Sequence, residues 1–117
     1  EGGWNPDDSV MLAAMLKQIG VDLIDVSSGG LVHHQKIPVG PGYQVPFAER
    51  IRKETGMLTG AVGLITKPAQ AEEILSSGKA DLILIARESL RNPNFPLTAA
   101  KELGIDISWP VQYVRAK

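Results

Sequence analysis

The sequence predicts an α/β fold with parallel strands, and within that class the C-terminal part of a TIM (β/α)8 barrel, namely its last three strands and their helices. Three observations carry this. Apolar runs of strand length alternate with stretches of helical apolar spacing in the order α-β-α-β-α-β-α, which implies parallel strands joined by right-handed crossovers. The run Leu82-Ile83-Leu84-Ile85, led in by Gly78 and Asp81, has the unbroken apolar character of a strand buried on both faces. Two successive strand ends carry Gly63 and Ala86-Arg87, matching the phosphate site that β/α barrels build after strands seven and eight. Three strands are too few to close a barrel. A guanidinium at the end of a buried strand is costly unless an anion or a carboxylate meets it. A bound phosphate and a structural ion pair both satisfy that demand, and Arg87 by itself leaves the choice open.

Each element has its own signals. Asn5-Pro6-Asp7-Asp8-Ser9 is a helix start, with a capping side chain, an early proline and acids near the positive end of the dipole. Met11, Leu12, Met15, Leu16 and Ile19 follow at helical spacing and are expected in the core, with Gly20 as the stop. Val21–Val26 reads as a strand and Ser27-Ser28-Gly29-Gly30 as the loop at its C-terminal end. The connection from Leu31 to Gln44 is longer than most βα loops. It holds His33 and His34, read as solvated loop residues because adjacent side chains diverge.

A helix opens at Val45-Pro46 and runs to Thr55, with Phe47 and Ile51 inward, Glu49 and Lys53 as an exposed pair, and Gly56 as its stop. Met57–Thr66 is a second β element in which glycines argue for a bulge or a close backbone approach. Lys67-Pro68 starts a helix with Ala71, Ile74 and Leu75 inward. After the Arg87 strand, Arg91–Pro96 reads as a turn and Leu97–Leu103 as the last helix. The segment 105–117, with Trp109, Tyr113 and Arg115, reads as a docking tail on a single domain spanning 1–117.

Composition narrows the function classes. A chain of 117 residues carries one core. A net charge of −1 gives no reason to expect nucleic acid or an anionic membrane. Without cysteine there is no disulfide framework and no thiolate metal site. No apolar run approaches the roughly 20 residues of a membrane-spanning helix, and no signal-peptide pattern is present. A cytoplasmic location is the expectation.

Several runs are familiar. Gly20–Gly29, Pro41-Gly42-Tyr43-Gln44, Thr59-Gly60-Ala61-Val62-Gly63, the stretch Ala80–Asn92 and the ending Pro110-Val111-Gln112-Tyr113-Val114-Arg115 together resemble the Old Yellow Enzyme family of FMN-dependent oxidoreductases. Within it they are most similar to the thermophilic-like ene reductases. The resemblance covers essentially the whole chain and maps onto the last three strands of the family's barrel.

It implies an enzyme that takes hydride from NAD(P)H onto FMN and passes it to an activated C=C bond. Val62 and Gly63 then match the backbone that receives the FMN phosphate, and Ala86 and Arg87 match the family's Gly-Arg pair, with the arginine on the phosphate. The alanine departs from the family's glycine, and would fit poorly if the backbone there needs φ > 0. Ser28 falls on the flavin side after strand six. Arg115 resembles the C-terminal arginine that, in this subgroup, reaches across a subunit interface into the neighbour's active site, which implies a substrate-binding role and a homo-oligomer.

The family's substrate-anchoring His/His or His/Asn pair, its proton-donating Tyr, the residues that tune the flavin ring and the Arg beneath it belong to its N-terminal half. His33, His34, Tyr43 and Tyr113 do not occupy those positions, so no catalytic residue is assigned here. The chain opens on Glu1-Gly2-Gly3-Trp4 in what reads as the middle of a loop. The expectation is one part of an ene reductase whose partner is the N-terminal half of the barrel, as a second chain or as the remainder of the same protein. The alternative is a noncatalytic half-barrel or phosphate- or flavin-binding module.

Overall fold

The computed structural model describes residues 2–117. The elements run α1 (Pro6–Gln18), β1 (Leu23–Val26), α2 (Val45–Thr55), β2 (Leu58–Ala61), α3 (Pro68–Ser76), β3 (Leu82–Ile83), α4 (Arg87–Arg91), α5 (Phe95–Glu102) and a 3-10 helix over Val111–Ala116. The three strands form one sheet in the order β1-β2-β3. Both pairings are parallel, with Asp25 opposite Gly60 and Gly60 opposite Leu82. The α/β alternation and the parallel crossovers are therefore as the sequence predicts, and the sheet stays open.

Register divides the sheet into two faces, because side chains alternate along a strand. Ile24, Val26, Thr59, Ala61 and Ile83 face the helices. There the core assembles from Ala13, Val26, Val45, Ala48, Ile51, Met57, Ala61, Ile65, Ile74 and Ala80. Leu23, Asp25, Leu58, Gly60 and Leu82 share the other face, and it is uncovered: Leu58 is 49% exposed and Leu82 52%. This corrects the expectation of a third strand buried on both faces. The pairing of β3 is short as well, covering Leu82 and Ile83 rather than the whole run to Ile85. The molecule is accordingly less compact than its length allows. Its radius of gyration is 16.5 Å, against about 13 Å for a compact chain of this size.

Helix α1 starts as its sequence dictates. The Asn5 side chain accepts from the Asp7 and Asp8 amides, Asp8 returns a bond to the Asn5 amide, and Pro6 sits in the first turn. Its inward stripe differs from the expected one. Val10, Ala13 and Leu16 meet the core, whereas Met11, Leu12, Met15 and Ile19 are turned outward. Both stripes have helical spacing, and the packing chooses the one bearing the small Ala13, which lets the helix approach α2 closely.

In α3, Ile74 is buried and Ala71 half-buried, while Leu75 is turned out rather than in. The exposed pair on α2 is also shifted by one residue from Glu49–Lys53. Arg50 joins Glu54 at 2.7 Å and also Asp7 at the start of α1. These two carboxylates, Glu54 first, raise the Arg50 guanidinium above its ordinary pKa. Gly56 closes α2 in the left-handed conformation at φ 64°.

One polar tie fixes β3 to β2 and α2. Arg52 Nε donates to both carboxylate oxygens of Asp81 at 3.0 Å, and its Nη1 donates to the Gly78 carbonyl. Asp81 Oδ2 also accepts from the amide of Thr59, a residue with no exposed surface. More than a third of the Arg52 side chain meets water, so the ion pair itself is screened. The larger cost of losing Asp81 is the buried Thr59 amide left without an acceptor. Asp81→Ala is expected to lower stability by about 1–3 kcal/mol, read as a lower urea midpoint. An unchanged midpoint would show the tie to be idle.

Two segments lie outside the predicted elements. The run Arg87–Arg91 is a short helix, where the sequence suggested that only a turn follows the strand. The last main helix is Phe95–Glu102, beginning two residues before the expected Leu97. Beyond it, Ile107 and Trp109 are half-buried, while Val111, Tyr113, Val114 and Arg115 are exposed. No helix among the described residues is long and apolar enough to cross a membrane.

Candidate functional site

The C-terminal ends of β2 and β3 open onto a cleft of about 140 Å³, lined by Val62, Gly63, Leu64, Ala86, Arg87 and Arg91 among others. One water occupies roughly 30 Å³ of the liquid, so the cleft takes a group several times that size.

Its floor is the loop after β2. Gly63 has φ 117° and Leu64 φ 51°, two successive residues in the positive-φ half of conformational space. For leucine this is a strained state that the surroundings must enforce. A Cβ on Gly63 would lie 2.9 Å from Gln44 Nε2 and 2.9 Å from the Tyr43 ring, so glycine is required there by both conformation and space. Two glutamines fasten the loop. Gln44, 4% exposed, donates from Nε2 to the Val62 carbonyl at 3.2 Å, while its Oε1 accepts from the Ser28 amide and from Ser28 Oγ. Gln70 on α3 donates to the Leu64 carbonyl at 3.2 Å and accepts from the Thr66 amide at 3.1 Å. The Gly42 amide donates to the Gly63 carbonyl at 2.9 Å. Among the described residues no acceptor meets the amides of Gly63 and Leu64.

The wall is the start of α4. Arg87 is exposed and makes no hydrogen bond or ion pair among the described residues. The structural-carboxylate reading of Arg87 therefore finds no partner. Glu88, the carboxylate on the cleft, is taken by Arg91 at 2.7 Å. Two guanidiniums against one carboxylate leave the cleft positive. Ala86 has φ −104°, outside the positive range that favours glycine, so this position does not demand one. Ala86→Gly is expected to leave ligand affinity within about twofold of the parent, since the φ there is not one reserved for glycine. A large gain would mean that the methyl obstructs the site.

Of the residues singled out in the sequence, Val62, Gly63, Ala86 and Arg87 come together on this cleft. Ser28 does not line it, and its polar atoms are engaged with Gln44. Arg115 lies in the terminal 3-10 helix, also away from the cleft lining. His33 and His34 are exposed and stack edge to face with ring centres 5.2 Å apart. No cluster of three or more metal-ligating side chains occurs among the described residues. Sequence reasoning missed Gln44, Gln70, Leu64 and Arg91. Gln44 stands within the Pro41–Gln44 run that carried the resemblance, yet its bond across to β2 is long-range and leaves no local signal.

Comparison with known proteins identifies the family. Residues 3–105 match the NADH:flavin oxidoreductase / NADH oxidase family. The chain is 61% identical over 113 residues to an NADPH dehydrogenase of Geobacillus sp. (strain WCH70), covering 97% of this chain and 33% of that protein. It is 59% identical over 116 residues to the NADPH dehydrogenase of Halalkalibacterium halodurans, covering 99% and 34%. With an NADPH dehydrogenase of Listeria monocytogenes the identity is 56% over 115 residues, covering 98% and 34%. The chain thus spans about a third of the length of the curated relatives it matches. On the strength of a match over nearly its whole length, this chain belongs to the NADH:flavin oxidoreductase / NADH oxidase family.

Proposed function

We propose that this chain is part of an FMN-dependent ene reductase and supplies half of the site that holds the FMN phosphate. The observation that carries the reading is the cleft at the ends of β2 and β3, lined by the unpaired Arg87 and by Gly63 and Leu64, whose amides meet no acceptor among the described residues. A phosphate ester fits that donor set. Arg87 offers a planar fork of N–H groups, and Gly63 and Leu64 offer a concave pair of amides of the kind that binds anions. Glycine at position 63 lets this backbone lie directly against Gln44 and Tyr43, where a Cβ would clash.

The uncovered apolar face of the sheet supports a larger barrel. Leu58 and Leu82 would line its interior, and the remaining strands would come from the two thirds of the relatives' length that this chain does not span. Burying them is favourable by about 25 cal/mol per Å², and a parallel sheet with one bare face is otherwise rare. In this reading the partner is the N-terminal half of the barrel, as the remainder of the same protein or a second chain.

When bound, FMN supplies the redox chemistry, accepting hydride from NAD(P)H and delivering it to an activated C=C bond. The residues of this chain bind and orient. Arg87 would neutralise the phosphate, and Gly63 and Leu64 would fix its position, so that this segment would anchor the flavin by its tail. Arg115 and the exposed Val111, Tyr113 and Val114 make a surface suited to reaching a neighbouring subunit in a homo-oligomer of a cytoplasmic enzyme.

The test is anaerobic. The complete protein, reduced with NADPH, is expected to lose its flavin absorption at visible wavelengths and to regain it on addition of an α,β-unsaturated ketone. A flavin that NADPH does not bleach, or that the enone does not restore, would contradict the reading.

A further inference from the structure

We infer that Gln44 is a positioning residue of the phosphate site, setting the direction of the two backbone amides that face the anion. The inference rests on the FMN reading above and extends it to a residue outside the cleft's donor set. A trans peptide places its C=O and N–H on opposite sides. The Val62 carbonyl is held by Gln44 Nε2 at 3.2 Å, and the next carbonyl, of Gly63, is held by the Gly42 amide at 2.9 Å. Both carbonyls thus point toward the Gly42–Gln44 segment. The N–H groups of the same two peptide planes, Gly63 and Leu64, are thereby turned to the other side, where no acceptor meets them among the described residues. Successive positive φ values at Gly63 and Leu64 are the conformational consequence.

Gln44 suits the task because it is locked from both ends. Its Oε1 accepts from the Ser28 amide and hydroxyl, which settles which end of the side chain is oxygen and leaves Nε2 for the Val62 carbonyl. At 4% exposure, water does not compete for these bonds. The loop after β1 and the loop after β2 are in this way tied to each other through one side chain. A carboxylate in the same place would still accept from Ser28 but would set oxygen against the Val62 carbonyl.

The experiment compares FMN with riboflavin, which lacks the phosphate, on the complete protein. Gln44→Glu is expected to weaken FMN about tenfold and riboflavin less than about twofold, one donated hydrogen bond being involved. A parallel loss for both ligands, or no loss for either, would overturn the inference. Arg87→Ala separates the two levels of argument. If it leaves the preference for FMN over riboflavin intact, the phosphate reading itself fails. If it narrows that preference while Gln44→Glu does not, only the role of Gln44 fails. Should Gln44→Glu not fold, Gln44→Met, which keeps the length of the side chain without its donor, carries the same comparison of FMN with riboflavin, and a parallel loss for both would overturn the inference. Amide exchange at Gly63 and Leu64 in the parent protein is expected to slow on binding FMN and not riboflavin, and equal protection by both would overturn the phosphate reading on which the inference rests.

Discussion

Replacing Gly63 by alanine is expected to produce the largest loss of any single change at the site. The residue sits at φ 117°, outside the regions open to a side chain, and such a conformation costs an L-residue on the order of 1–3 kcal/mol. The added methyl also has nowhere to go. It would meet Gln44 Nε2 and Tyr43 Cε1 at 2.9 Å each, and Gln44 is held in place by Ser28 and Val62. The loop must therefore rearrange, and with it the amides of Gly63 and Leu64. Both thermal stability and FMN retention should fall together, with the melting temperature of the complete protein lower by several degrees and most of the protein isolated without flavin. An alanine variant with the parent's melting temperature and full flavin content would refute the close approach at Gly63.

Arg87→Ala is expected to act differently, on affinity and not on the fold. Arg87 packs against nothing that its loss would leave unpaired. What it loses is a charge-assisted contact to the phosphate, about 1.5–3 kcal/mol, which is roughly a 10- to 150-fold weaker Kd for FMN. Riboflavin affinity and melting temperature of the flavin-free protein should stay close to the parent's. Arg87→Lys should recover part of the loss, since a lysine keeps the charge but not the fork. Weakening that is equal for FMN and riboflavin would remove the arginine from the phosphate.

How much of this was legible in the sequence depended on the range of the interaction concerned. Local signals read true. Asn5 capped α1, Gly56 closed α2, and the strand runs paired in parallel as the α/β alternation required. The association of Gly63 with Ala86-Arg87 was also accessible, because in a parallel sheet the C-terminal ends of neighbouring strands open on the same side.

What failed were inferences about faces. Met11, Met15 and Leu75 have helical spacing consistent with burial, yet spacing defines a stripe without saying what covers it. The expected burial of Leu82 on both sides failed for the same reason, since only one face of the sheet carries helices. Gln44 and Gln70 were invisible because a glutamine's bonds to carbonyls 18 and 6 residues away depend on where the chain returns. The φ value of Ala86 lies likewise beyond residue identity, and it resolves the doubt its sequence raised.

The central claim is that the cleft between the ends of β2 and β3 holds the phosphate of a bound FMN. The most direct measurement is the visible absorption spectrum of the complete protein isolated under native conditions, followed by identification of the flavin released on denaturation. The account predicts a yellow protein that releases FMN, in equal number to its chains. A colourless protein, or one releasing riboflavin without a phosphate, would contradict it.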